Sequence, residues 1–245
     1  MKRMIKRILL LTLAAVCCVA VVVCGAYCFA QPDSSVCEEV CIVVKDSADQ
    51  QFVDAHELET YLKNKSCYSH GKCMSDVDCH RIEECLLGHE MVRTVQCYKS
   101  PFGKVCISVK QRIPVLSVVS LDGCYYVDSD RQIMPIRGEM KTDIPLFKGS
   151  VSKRAAQEEY FDFAIWLTDD DYWNERILAI QVVNPKYLVL TQQDQVGKIV
   201  LGEIDNYQSK LMKLRKLYTK GFDQIGYPEC KEYDLRFAGQ VICRR

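Results

Sequence analysis

The sequence predicts an α+β chain: an apolar helix near the amino end, a β-α-α-β-β module, and a mainly antiparallel β domain with flanking helices. Three observations carry this. Ile8 to Ala30 contains no charged residue and follows Lys2, Arg3, Lys6 and Arg7. From Val92 onward, apolar residues alternate with polar ones at period two, the mark of half-buried strands. Pro114 cuts one such run in the stretch GKVCISVKQRIPVLSVV, and alternation resumes at Val115.

The apolar run, residues 8–30, is long enough as a helix to reach about 34 Å, against a bilayer core of about 30 Å. Cys28-Phe29-Ala30 matches a small-x-small cleavage site poorly, so a retained transmembrane helix is expected rather than a signal peptide. The basic flank, residues 1–7, then lies in the cytoplasm and everything after Gln31 outside. Residues 31–37 form a linker. Removing the four basic residues of the tail from 32 positive and 32 negative side chains leaves 28 against 32 outside. That balance gives no signature of nucleic-acid binding.

The next segment, residues 38–112, opens with a strand near Val40–Val44. Asp54 and Glu57 have capping-box spacing ahead of a helix carrying Leu58, Tyr61 and Leu62. A polar loop leads to a short helix over Cys79–Leu87, then to strands Val92–Lys99 and Lys104–Lys110. Two helices on one face of a three-stranded sheet satisfy this order. A central strand does not pass through proline, so Gln111–Pro114 reads as the junction to a second sheet; an edge-strand bulge is the alternative.

Residues 113–245 then give strands Val115–Ser120, Tyr125–Asp128, Gln132–Ile136, Leu146–Ser150, Ile177–Val183, Tyr187–Thr191 and Lys198–Leu201. Helices fit Ser152–Leu167 and Asn206–Lys220. Strands Tyr233–Phe237 and Gln240–Arg244 finish the chain, with Arg244 and Arg245 read as a solubilising tail.

Chemistry finds no foothold. His56-Glu57 and His89-Glu90 begin like a zinc-protease motif, but no second histidine follows at helical spacing. There is no nucleophile elbow and no phosphate-cradling glycine loop. Asp169-Asp170-Asp171 lacks the alternating ligands of a calcium loop and reads as a turn and helix cap. No enzyme activity, cofactor or metal is expected.

The chain has 15 cysteines, about 6% of its residues, below the density of a disulfide-built miniprotein. Cys67, Cys73, Cys79 and Cys85 repeat every six residues with His70 and His80 among them, leaving zinc, disulfides and free thiols all open. If Ser100–Gly103 is a four-residue hairpin loop, Cys97 faces Cys106, and that pair is a candidate disulfide.

Taken together, these residues resemble the FtsQ/DivIB family of bacterial cell-division proteins. The family pattern falls on Gly103, Val105, Ile107, Val109, Gln111, Arg112, Pro114, Gly123, Tyr126, Val127 and Asp128. DIPLFKG and EYDLRFAGQVICRR resemble its step into the β domain and its closing strands. Ser129-Asp130-Arg131 departs from it by lacking a glycine in the turn, and the cysteine load is unusual. Gln111 and the cysteine-rich style suggest a Bacteroides-like branch. The resemblance implies that residues 38–112 are a POTRA domain and that the chain is a non-catalytic scaffold. It implies FtsB-like and FtsL-like bitopic partners, through which the septal peptidoglycan synthase is positioned. The expected location is the inner membrane, single-pass, with the bulk in the periplasm.

A physical argument points the same way. A last strand at a sheet edge offers unpaired N–H and C=O groups that a partner strand satisfies. Leu235, Arg236, Phe237, Gln240, Val241 and Ile242 are therefore the expected partner-binding residues. Arg236 offers a bidentate fork for a carboxylate and Phe237 an aromatic anchor. Arg236 and Phe237 also match, residue by residue, the Asp-Leu-Arg-aromatic partner-binding segment of the family. Arg112 and Pro114 are expected between the two domains, with Arg112 joined to a carboxylate. The rival readings are an envelope-assembly protein carrying a POTRA module and a secreted hydrolase with an unrecognised site.

Overall fold

The computed structural model describes residues 15–23, 35–45, 51–193, 197–222 and 230–245. Residues 15–23 form a helix, α1, exposing Val16, Val19, Val21, Val22 and Val23. Residues 8–14 and 24–30 of the expected span lie outside the described residues. Among the described residues, no helix is long and apolar enough to cross a membrane.

The remainder divides into two compact units. The first holds the described residues up to Val43 with Ala55–Leu86 and Val95–Val109. The second holds Leu87–Thr94 and Lys110–Arg245 with the described residues of Val44–Asp54.

The element order of the first module is β1 (Glu39–Lys45), α2 (Ala55–Asn64), α3 (Cys79–Leu87), β2 (Val92–Ser100) and β3 (Lys104–Gln111). Its sheet has the order β1-β3-β2, so the last strand made is the central one. Val105, Ile107 and Val109 of β3 are buried, as are Leu58 and Leu62 of α2 and Ile82 and Leu86 of α3. Period two on the strand and period 3.6 on the helices thus supply one shared core. Gly103 closes the β2–β3 turn at φ +69, where an added Cβ would stand 2.6 Å from the Val36 carbonyl oxygen.

The second sheet begins with β4 (Pro114–Ser120), β5 (Gly123–Asp128), β6 (Ile133–Pro135) and β7 (Leu146–Gly149). Three helices follow: α4 (Lys153–Gln157), α5 (Glu159–Asp169) and α6 (Asp171–Asn174). Then come β8 (Ile177–Asn184), β9 (Tyr187–Gln192), β10 (Lys198–Gly202), α7 (Tyr207–Lys216), β11 (Glu232–Asp234) and β12 (Ile242–Arg244). The nine strands run in the order β12-β11-β10-β9-β8-β7-β4-β5-β6. β3 and β4, separated by Arg112 and Ile113, therefore belong to different sheets. Pro114 is the first residue of β4, where its missing N–H is tolerated, and the register against β5 shifts between Pro114 and Leu116.

Five neighbouring pairs are antiparallel; β4–β7, β7–β8 and β10–β11 are parallel. The helices explain two of these exceptions. α4–α6 connect β7 to β8, and α7 lies between β10 and β11; a helical crossover of this length returns the chain parallel. The core under the sheet is aromatic: Phe147 stacks on Tyr160 at 5.3 Å, and Trp173 and Tyr233 are fully buried. The single helix expected over Ser152–Leu167 is two, broken at Glu158 (φ −111, ψ −93). Asp170 caps α6 by accepting from the Tyr172 and Trp173 amides, as the triple-aspartate reading requires.

Among the described residues, the β5–β6 turn also shows how the missing glycine is replaced. Arg131 itself adopts φ +60. The buried Asp128 carboxylate accepts from the Asp130 amide at 2.9 Å and the Gln132 amide at 2.7 Å, fixing the turn. Arg131 then donates to Asp162 at 2.6 Å and lies 4.4 Å from the Phe161 ring.

Candidate functional site

The site is the carboxyl-terminal hairpin, where two strands of three residues enclose a turn. β11 runs parallel to β10, with Tyr233 opposite Ile199, and antiparallel to β12, with Glu232 opposite Arg244. Among the described residues β12 pairs with β11 alone and forms one end of the sheet. The opposite end, β6, finishes in Pro135, which has no N–H to donate. Of the two ends, β12 is the one without a proline.

Asp234 organises the hairpin. Its side chain is 0% exposed and receives the Arg236 fork, Nε at 2.9 Å and Nη2 at 2.6 Å, with Arg244 Nη2 at 2.9 Å. The Arg236 bonds, followed by the charge of Arg244, hold the Asp234 carboxyl below the usual carboxylate range, and the same pairing pushes the Arg236 guanidinium up. The Arg236 amide also donates to Asp234 Oδ1 at 3.2 Å, a local turn that ends β11.

This arrangement corrects several expectations. The strand ends at Asp234 rather than Phe237, and the last one starts at Ile242 rather than Gln240. Leu235 is 1% exposed and belongs to the core, because the turn folds it back under the sheet. Arg236 already spends its fork on an internal carboxylate, which leaves its guanidinium stacked 5.3 Å from the Tyr187 ring and 5.9 Å from that of Phe237. Phe237 is 42% exposed. Gln240 is exposed, while Val241 and Ile242 are half-buried. Arg244 is no solvated tail: it also reaches Glu232 at 3.3 Å.

Beside the hairpin lies a groove of ≈ 700 Å³, lined by Leu235–Gly239, by Gly202–Lys213 residues and by Lys186. Lys186, Lys210, Lys213 and Arg236 line it, with Lys186 paired to Glu203, Lys210 to Asp205 and Arg236 to Asp234. Lys210 is fixed by the Glu203 carbonyl and Asp205, each at 2.8 Å. Gly202 at φ +75 leaves room for the Arg236 stem, whose Cγ would stand 2.6 Å from an added Cβ.

The hairpin is covalently closed by a disulfide, Cys230–Cys243, with α-carbons 5.5 Å apart. Sequence reasoning missed it, along with Tyr187, Lys210 and Lys213, and gave Asp234 no role of its own. Acids at 232 and 234 facing a cation at 244 across a hairpin was the available signal.

The expected Cys97–Cys106 disulfide is absent; both are free thiols. β2 ends at Ser100 and β3 starts at Lys104, so the loop has three residues, one fewer than assumed. With a three-residue loop, Ser100 faces Lys104 and Tyr98 rather than Cys97 faces Cys106, because the side-chain period is two. Arg112 pairs with Asp128 at 2.5 Å, its partner fully buried. Among the described residues, no group of three or more His, Cys, Asp or Glu side chains is placed to hold a metal ion.

No curated protein matches the sequence. The family model described as POTRA-like domain matches residues 35–110. The model described as FtsQ/DivIB, C-terminal related, matches residues 113–244, more than half of the chain and all of the hairpin's strands. A POTRA-like module followed by this domain settles the lineage: the chain belongs to the FtsQ/DivIB family.

Proposed function

We propose that this protein is a single-span division scaffold that takes up a partner strand along β12. FtsQ/DivIB membership and the POTRA-like domain fit a cell-division scaffold, and that family is non-catalytic. The proposed arrangement is a cytoplasmic tail (1–7), a membrane helix (8–30), a linker (31–37), a POTRA domain (38–112) and a β domain (113–245) in the periplasm. The exposed valines of α1 support membrane contact. The proposed partners are FtsB-like and FtsL-like coiled-coil proteins, linking the chain to septal peptidoglycan synthesis.

The observation that carries the reading is the place of β12 at the end of the nine-stranded sheet among the described residues. Main-chain pairing would supply the affinity, and alternate side chains the selectivity. Phe237 and the outer face of Arg236 would meet the partner, with Lys213 favouring a carboxylate. The test is co-purification from detergent-solubilised membranes, comparing wild type with Phe237→Ala and with Ile242→Pro. The variants should lose a bitopic coiled-coil protein while keeping the wild-type melting profile. Undiminished recovery from both would exclude this surface.

A further inference from the structure

In the first unit, Phe102 is 90% exposed, and no large apolar side chain described there is more so. It stands in the β2–β3 turn at φ +69, directly before Gly103 at the same angle. Two successive positive φ values favour Asn-Gly. A bulky residue adopts that region only under strain. Phenylalanine thus occupies the place that asparagine suits, with its ring in solvent, so the turn itself has no use for the ring.

The turn is fastened to the point where the chain enters the unit. The Gly103 carbonyl accepts the Glu38 amide at 2.8 Å, and Gly103 packs against the Val36 carbonyl. On the other side, the Cys37 amide donates to the Lys72 carbonyl and the Met74 amide to the Ser35 carbonyl, each at 2.8 Å. Val36 is itself 50% exposed, beside the turn. Ser35 follows Ala30, the end of the apolar run, by five residues. Five residues of extended chain reach at most about 18 Å. The headgroup layer fills about 5–8 Å of that distance.

We propose that the β2–β3 turn is a membrane-interface anchor, with Phe102 inserting its ring, beside Val36, into the lipid headgroup layer. The inference rests on the proposed membrane helix, residues 8–30, which brings Ser35 close to the lipid. Aromatic rings partition into that layer because it removes them from water. The contact is apolar rather than electrostatic. Glu38 is exposed next to the turn, and Lys104 is paired with Glu39, so anionic lipid is not required.

The full chain carrying Phe102→Trp is reconstituted into phosphatidylcholine vesicles and into vesicles of the same lipid brominated near the headgroup end of its acyl chains. Wild-type emission, which comes from Trp166 and Trp173 alone, is subtracted. Most of the added emission should be lost in the brominated vesicles. Phe102→Asn should keep or raise the wild-type melting midpoint; a lower midpoint would make the ring structural and overturn the proposal. Both vesicle preparations are washed in alkaline carbonate. A chain that withstands the wash but emits equally in the two lipids overturns the anchor and leaves the membrane helix standing. A chain that the wash extracts removes the membrane helix, and the anchor with it.

Discussion

Replacing Cys230 and Cys243 together by serine tests how the carboxyl-terminal hairpin is held. β12 is anchored by three residue pairs to β11, too few to hold an edge strand by main-chain bonds alone. The disulfide closes a loop of sequence separation 13. Loop-closure entropy for that length is worth about 3 kcal/mol at 25 °C. For a protein of this size the melting midpoint should fall by about 6–12 °C. Differential scanning fluorimetry of the solubilised chain reads the midpoint, and hydrogen exchange reads the Ile242–Arg244 amides. Both should change together, and a reducing agent should reproduce the effect in the wild type. A fall of less than about 2 °C with unchanged exchange across β12 would refute the idea that the bridge preforms this edge.

Asp234→Asn removes the anion shared by Arg236 and Arg244 and should cost about 2 kcal/mol in chemical denaturation. The folded Asp234 carboxyl lies below its ordinary 3.8, so its contribution is present above that pH and lost as pH falls through the folded value. The wild-type midpoint should therefore drop more steeply in acid than that of the Asn variant. Gly202→Ala places a Cβ against the Arg236 stem at φ +75 and should destabilise by about 1–2 kcal/mol, with weaker partner recovery. Arg131→Ala should loosen the β5–β6 turn from α5, seen as faster exchange at Ser129–Gln132.

How much of this was legible depended on the range of the forces involved. The alternation of Val105, Ile107 and Val109 and the stripe of Leu58 and Leu62 report burial directly, and both modules follow from them. Pro114 correctly separated the two sheets because a missing N–H is a local fact. The end of β11 was not legible. Asp234 reads as a strand residue until its buried carboxylate captures its own neighbour's amide and guanidinium. The Cys97 pairing failed on one residue of loop length, which period two converts into the wrong face. Parallel neighbours were hidden because sequence alternation does not state direction; the intervening helices do.

A sheet finished by proline at one border and left bare at the other can grow in only one direction. Pairing of the β12 border of one copy with the β6 border of the next is disfavoured at Pro135, which has no N–H to offer. In the nine-stranded sheet, an added strand is therefore expected at the β12 border.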